Sequence, residues 1–371
     1  MGDESKLTKE QLEALERLRK LRAERKPIPG HKIENPEKFS MPLSRATDPR
    51  VANIPRRDRI VGAVLGAAIG DALGYPVEFI ESIAQIRAKY GPQGVTGYVH
   101  YIEDRGRRVA PYSDDTQMAE VVLRSLLWSQ EENADLDRTM RHMGEKFVAW
   151  ARDPQGGHRA PGNACLAGCR ALAQGAPWDE AGGSEAGGCG SVMRAYPFGL
   201  MFADDHERAV GWAVAHSKLT HRDPIALAAC AAMADGVFAA VDGRAGESIV
   251  EAMSATARHH DEKTADMIAD ATHRAFTGET PEAVLSRYLG WAAHDAIAAA
   301  TYVFARHPND PRTALLEAAN SPGDSDSIAT LVGALVGARC GVGALPAEWV
   351  RDLERSDELL ALAETVAAAG K

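Results

Sequence analysis

An all-α fold is what this chain predicts, on three observations. From Asp58 onward apolar residues recur at helical spacing through most segments. Alanine is abundant there, while β-branched and aromatic runs are few. Two segments also carry glycine at every fourth position. With 371 residues, 45% hydrophobic and 25% charged, the chain has the composition of a globular protein with room for a large core, in one domain or two. A formal charge of −10 and a pI of about 5.7 point to neither a general nucleic-acid binder nor an anionic-membrane binder.

The first segment stands apart. Residues 1–57 hold 14 Lys+Arg against 9 Asp+Glu, so this stretch is basic while the rest is more acidic than the whole. Leu7, Leu12, Leu15, Leu18 and Leu21 predict a short amphipathic helix over 5–26. Pro27, Pro29, Pro36, Pro42, Pro49 and Pro55 then forbid a helix, so 1–57 reads as an arm: a helix on a proline-rich tether. A helical domain is expected over 58–371.

A helix over 58–73 comes next, with Gly62, Gly66, Gly70 and Gly74 on one face. Glycine in a helix costs about 1 kcal/mol against alanine, so this face, and its counterpart Gly333, Gly337 and Gly341, implies close backbone approach to a neighbouring helix. Gly74 should end the first helix, with Pro76 blocking continuation and Glu78 on the turn beyond. Residues 91–101 are the one plausible strand or loop region. Further helices are expected over 115–131, 137–151, 164–173, 207–216, 224–241, 248–259, 281–289, 292–306, 311–319 and 326–340. No repeat of fixed period is present.

Five cysteines without a C-x-x-C pair fit a reducing compartment better than a disulfide framework. The first 50 residues are polar, and the apolar runs 60–69 and 328–338 fall short of the roughly 20 residues a membrane span needs. A cytoplasmic protein is therefore expected.

Two clusters carry the chemistry. Ser113-Asp114-Asp115-Thr116 precedes one apolar helix, and Asp324-Ser325-Asp326-Ser327 precedes another. Ser and Asp are favoured N-caps, so either cluster alone reads as capping. A cap needs one side-chain oxygen, however, and each cluster offers two carboxylates and two hydroxyls at the start of a helix too apolar for the surface. Carboxylates packed near a core repel unless a cation neutralises them, and hard divalent cations take oxygen ligands. Converging helix starts could hold two Mg²⁺-like ions. The second cluster is no EF-hand loop, since Ala329 and Leu335 stand where Gly and Glu are required. There is no H-E-x-x-H and no Cys/His zinc spacing. His259-His260 lies in a polar segment and reads as solvated. The run Gly187-Gly188-Cys189-Gly190-Ser191-Val192-Met193-Arg194 could bring backbone N–H groups to an anion, though alone it is a weak signal.

Taken in order, Gly66-Ala67-Ala68-Ile69-Gly70-Asp71-Ala72-Leu73-Gly74, Tyr112-Ser113-Asp114-Asp115-Thr116-Gln117, Arg159-Ala160-Pro161-Gly162-Asn163, Gly188-Cys189-Gly190-Ser191-Val192-Met193-Arg194, Thr220-His221-Arg222-Asp223-Pro224 and Gly323-Asp324-Ser325-Asp326-Ser327-Ile328 resemble the ADP-ribosylglycohydrolases, over residues 58–349. The resemblance implies an all-α fold with a cleft for two Mg²⁺ ions, Mn²⁺ being the other candidate. It implies metal ligation by Ser113, Asp114 and Asp115 from one side and by Asp324, Asp326 and Ser327 from the other. Gly188, Cys189, Gly190, Ser191 and Met193 would line the diphosphate or distal ribose, with His221 beside the ADP-ribose. Asp115 is the first choice for the base-like role and Glu78 the second, in hydrolysis at the anomeric carbon of an ADP-ribosylated protein.

Three positions depart from the family pattern. Pro322 precedes Gly323 where a second small residue is common, Ser327 replaces the commoner Thr, and Cys189 stands at the usual Asn. None removes a metal-binding oxygen, so an active hydrolase is expected. The arm resembles, in architecture only, the extension of bacterial immunity proteins that plug ADP-ribosyltransferase toxins; Arg17, Arg19, Lys20, Arg22, Arg25 and Lys26 could meet an acidic toxin cleft. A catalytically silent ADP-ribose- or protein-binding module of the same fold is the alternative, and the linkage cleaved is left open.

Overall fold

The computed structural model describes residues 47–202 and 204–370. The expected helix over 5–26 and most of the proline-rich tether lie outside the described residues. One compact unit holds the described residues. Residues 47–55 belong to it: Asp48 donates its N–H to the Gly243 carbonyl (3.1 Å) and accepts from the buried Arg339, and Arg59 donates to the carbonyls of Val51 and Ile54.

The domain is helical, as expected. Its first half runs α1 (Arg56–Gly74), α2 (Ile83–Tyr90), a hairpin of β1 (Ile102–Asp104) and β2 (Arg107–Val109), α3 (Asp114–Glu131), α4 (Leu136–Arg152), α5 (Asn163–Ala173), a 3₁₀ turn (Cys189–Arg194), α6 (Tyr196–Met201) and α7 (His206–Ser217). Its second half runs α8 (Pro224–Val241), α9 (Gly246–Arg258), α10 (Glu262–Arg274), α11 (Pro281–Leu285), α12 (Ala293–Arg306), α13 (Pro311–Ala319), α14 (Ser325–Cys340), α15 (Ala347–Asp352) and α16 (Ser356–Ala369).

The strand signal sits just beyond the expected region. Residues 91–101 are loop, and the hairpin closes on Arg105 and Gly106, both at positive φ (50° and 75°), a turn whose twist suits two antiparallel strands. Helices α2, α6, α10, α15 and α16 were not expected. In α10 the buried positions are Thr264, Ala265, Ile268 and Ala271, so only one large apolar residue marks its inner face. The segment over 281–289 stops being helical at Leu285, because the chain there turns to pair with the start of α14: Asp324 donates its N–H to the Leu289 carbonyl (2.8 Å). Helix α8 is long and apolar enough to cross a membrane by length and composition, and 78% of it is buried here as a core helix.

Helices α1 and α14 form the axis of the core, antiparallel and in backbone contact. A Cβ on Gly62 would lie 2.4 Å from the Gly337 carbonyl oxygen, one on Gly66 2.3 Å from that of Gly333, one on Gly70 2.0 Å from that of Ala329, and one on Gly74 2.5 Å from the Asp326 Cα. The two glycine faces thus pack on each other. This reassigns Gly74: it ends α1 without the left-handed φ of a glycine cap, and its lack of a side chain lets Asp326 approach. The antiparallel register sets the end of α1 beside the start of α14, which positions the acidic residues described next.

Candidate metal centre

Asp71 is the only charged residue between Ile60 and Gly74, and it is fully buried. It accepts the backbone N–H groups of Ser113 (2.7 Å) and Thr116 (2.9 Å) and the Thr116 hydroxyl (2.6 Å). The first turn of α3 is therefore capped from another helix. Ser113 Oγ accepts one more N–H, from Asp115 (3.3 Å). Capping thus leaves the Asp114 and Asp115 carboxylates unused. On the other side, Asp324 occupies the N-cap of α14 without a capping bond from its side chain. Asp326 Oδ1 accepts the N–H of Ser327 (3.0 Å), and Ser325 donates to the Gly74 carbonyl (2.9 Å), tying the two helix ends together.

The two clusters are near enough for their charges to act on each other: Asp326 on Asp114 and Asp115, and Asp324 on Asp115. Oxygens of Glu78, Asp324 and Asp326 lie within 4.8 Å of one another. Asp114, Asp115, Asp324 and Asp326 are all buried, and no basic side chain among the described residues pairs with these carboxylates. Glu78 Oε2 and Asp115 Oδ2 are shut from solvent without a hydrogen-bond partner. Burial, then the Asp326 charge, raises Glu78, Asp114, Asp115 and Asp324 well above the usual carboxylate range. The same two causes push Asp71 up to about 7, against three donated hydrogen bonds. Each of these carboxyls is thus held above its ordinary range, by burial first and then by neighbouring negative charge that a cation would neutralise. The donor set is oxygen, two oxygens await a partner, and repulsion is uncompensated: these residues fit a hard divalent ion.

The glycine loop forms the adjoining wall. Cys189 donates its S–H to Asp324 Oδ2 (2.6 Å), and Ser327 Oγ lies 3.6 Å from Cys189 Sγ and 4.0 Å from the Met193 sulfur. Cys189 also donates its N–H to the Trp291 carbonyl (3.2 Å). His221 lies under the loop: a Cβ on Gly188 would be 3.5 Å from its Nε2, and one on Gly190 3.1 Å from its Cε1. Burial and then Arg194 lower His221 to about 3, so it is neutral at neutral pH. Ser191 differs from its neighbours: its side chain is fully buried, accepts from Ser217 (2.9 Å) and Cys230 (3.4 Å), and is spent on the core. Any contact of Ser191 with a ligand is left to its backbone. His259 and His260 are exposed, as expected.

Three groups escaped sequence reasoning. Asp71 had a signal, a lone charge on an otherwise apolar helix. Arg159, within a noted motif, is buried with Glu354 (2.8 Å) and donates to the Tyr112 carbonyl (2.6 Å), while its own carbonyl accepts the Asp114 N–H (3.3 Å). It clamps the approach to α3. Phe79 and Trp291 stack with centroids 5.2 Å apart, and no signal joins positions so distant in sequence.

A family model described as ADP-ribosylglycohydrolase matches residues 52–371. The chain is 28% identical over 323 residues to the ADP-ribosyl-[dinitrogen reductase] glycohydrolase of Rhodospirillum rubrum, covering 82% of this chain and 97% of that one. It is 28% identical over 326 residues to the ADP-ribosylarginine hydrolase Tri1 of Pseudomonas putida, covering 83% and 77%. Among solved structures, an ADP-ribosylglycohydrolase-related protein complex aligns with TM-score 0.62 at 27% identity, over 85% of this chain and 99% of that one.

Proposed function

Because the chain belongs to the ADP-ribosylglycohydrolase family, we propose that it hydrolyses the glycosidic bond between ADP-ribose and a modified protein, with arginine as the linkage. The observation that supports this reading is the gathering of Glu78, Asp324 and Asp326 oxygens within 4.8 Å of one another, with Asp114 and Asp115 in electrostatic reach and the buried Asp115 Oδ2 and Glu78 Oε2 without hydrogen-bond partners. Ser113, Asp114 and Asp115 from α3 and Asp324, Asp326 and Ser327 from α14 would hold two Mg²⁺ ions, or Mn²⁺ with the same oxygen set. Bound there, the ions would orient the sugar hydroxyls and offset negative charge.

The protein's own groups do the rest. Asp115, with an unpartnered oxygen, takes the proton of the attacking water; Glu78, on a turn and partly exposed, is second in line for that role. The bond from the anomeric carbon to the arginine nitrogen breaks, its electron pair staying on nitrogen, as the bond to the water oxygen forms through an oxocarbenium-like transition state, and the departing guanidine takes up the proton that Asp115 accepted. The buried carboxylates favour that developing positive charge. Gly188, Cys189, Gly190 and Met193 line the wall on which the diphosphate would rest, with His221 beneath as a neutral donor or acceptor.

Incubation with ADP-ribosyl-arginine and ADP-ribosyl-serine peptides, with and without Mg²⁺, should release free ADP-ribose, identified by mass, from the arginine peptide when Mg²⁺ is present, and Asp115→Ala should abolish it. Undiminished turnover by Asp115→Ala would remove the site assignment. Release of AMP would indicate a phosphoesterase instead, and ADP-ribose binding without turnover a silent module. The basic arm would add toxin binding: deletion of residues 1–46 should spare hydrolysis and weaken affinity for a cognate ADP-ribosyltransferase, and unchanged affinity in a titration refutes that part.

A further inference from the structure

Among the described residues, Phe79 is one of four large hydrophobic residues that stand exposed, at 47%. It is also a bulky residue at φ 69°, a conformation glycine or asparagine usually supplies. That backbone is held open by a reciprocal pair: Phe79 donates its N–H to the Gly323 carbonyl (3.0 Å), and Gly323 donates to the Ile80 carbonyl (2.8 Å). The ring lies on Trp291, centroids 5.2 Å apart and planes 21° apart. Strain and exposure together at one aromatic side chain are what a ligand-binding position carries.

Each ring belongs to a residue that adjoins the carboxylate cluster along the chain. Phe79 directly follows Glu78. Trp291 directly follows Gly290, whose Cβ, were there one, would touch the Asp324 Cβ at 2.8 Å. Glu78 and Asp324 belong to the cluster of oxygens within 4.8 Å. A substrate whose anomeric carbon is over that cluster sets its leaving group within a few ångströms of it, whereas the adenine is removed by two riboses and a diphosphate. A ring pair beside that cluster would therefore meet the leaving group rather than the base.

We infer that Phe79 and Trp291 form an aromatic platform that receives a planar guanidinium leaving group by stacking, and so sets a preference for arginine-linked over serine-linked ADP-ribose. This rests on the hydrolase reading above. A guanidinium is flat, weakly hydrated and always charged, and it stacks on aromatic faces.

The test uses the full chain with Mg²⁺ and the variants Phe79→Leu and Trp291→Leu, which keep apolar bulk and remove the π face. The ratio of kcat/KM for ADP-ribosyl-arginine to that for ADP-ribosyl-serine should fall about three- to tenfold, through KM. Phe79→Trp should restore it. In parallel, agmatine is titrated against the ADP-ribose-loaded protein by saturation-transfer NMR, which needs no turnover. Wild type should transfer magnetisation to the guanidinium side of agmatine, and both Leu variants should lose it. Calorimetry should find ADP-ribose affinity the same in wild type and variants. Equal loss for both substrates, a fall in ADP-ribose affinity, or unchanged agmatine contact in both variants would overturn the platform. If the wild type hydrolyses neither substrate, the hydrolase reading fails, and the agmatine arm still decides the platform.

Discussion

Placing a single methyl group on the axis of the fold, Gly333→Ala, separates two opposed expectations. In an exposed helix this change stabilises by about 1 kcal/mol, because alanine is the better helix former. Here the new Cβ would lie 2.0 Å from the Gly66 carbonyl oxygen and 2.5 Å from its carbon. Ordinary carbon–oxygen contact starts at about 3.3 Å, so the helices must part by roughly an ångström. The obstacle is backbone, which has no rotamer to escape into. Overpacking of this kind costs about 1–3 kcal/mol, and the displacement is shared with Gly62, Gly70 and Gly74 along the same seam. The expected net is destabilisation by about 1–2 kcal/mol after the propensity gain, a fall in Tm of a few degrees for a domain of this size. Because the seam ends where Gly74 meets Asp326, parting it should also weaken Mg²⁺ binding, read as a smaller rise in Tm on adding Mg²⁺. Differential scanning calorimetry of wild type and variant, each with and without Mg²⁺, measures both. A Tm equal to or above wild type would refute the argument that these glycines exist for close approach.

Three further outcomes follow from the site. Stability of the metal-free protein should fall as pH rises from about 4 toward 8: the folded-state pKa of Asp71 is raised to about 7 and those of Glu78, Asp114, Asp115 and Asp324 are raised as well, so folding retains protons that the unfolded chain releases. The Mg²⁺-induced rise in Tm should grow over the same window, and a pH-independent Mg²⁺ shift in thermal melts would contradict this. Asp71→Asn, with Mg²⁺ present, turns an amide NH₂ toward groups that all donate, so it should lose about 1–3 kcal/mol in urea titration and lower Mg²⁺ affinity; wild-type values for both would show that the cap from α1 is dispensable. Glu354→Ala leaves the buried Arg159 without its counter-charge and should destabilise by about 3 kcal/mol, lowering turnover by loosening the approach to Ser113; a Tm within a degree of wild type would refute the clamp.

Much of the fold was legible because the pattern is local. Helix α8 over Pro224–Val241 and α13 over Pro311–Ala319 were readable to the residue, since proline marks each start and unbroken alanine-rich periodicity runs to each end. Where the inner face is made of small residues, as in α10, the period is too faint to read. The hairpin escaped because it spans three residues a strand.

The sequence by itself determined two things: that glycine lines one face of two helices, and that each cluster at a helix start holds more carboxylates than a cap can use. Spacing along one chain is enough for both, because helical periodicity is a local property. Which face meets which, and what the spare carboxylates confront, was decided only by the tertiary structure. The antiparallel contact of α1 with α14 sets Gly74 against Asp326, that of α1 with α3 sets Asp71 against Ser113 and Thr116, and two loops outside these helices bring Phe79 against Trp291. Those pairings depend on how two surfaces fit in space, and no count of residues between them encodes that fit.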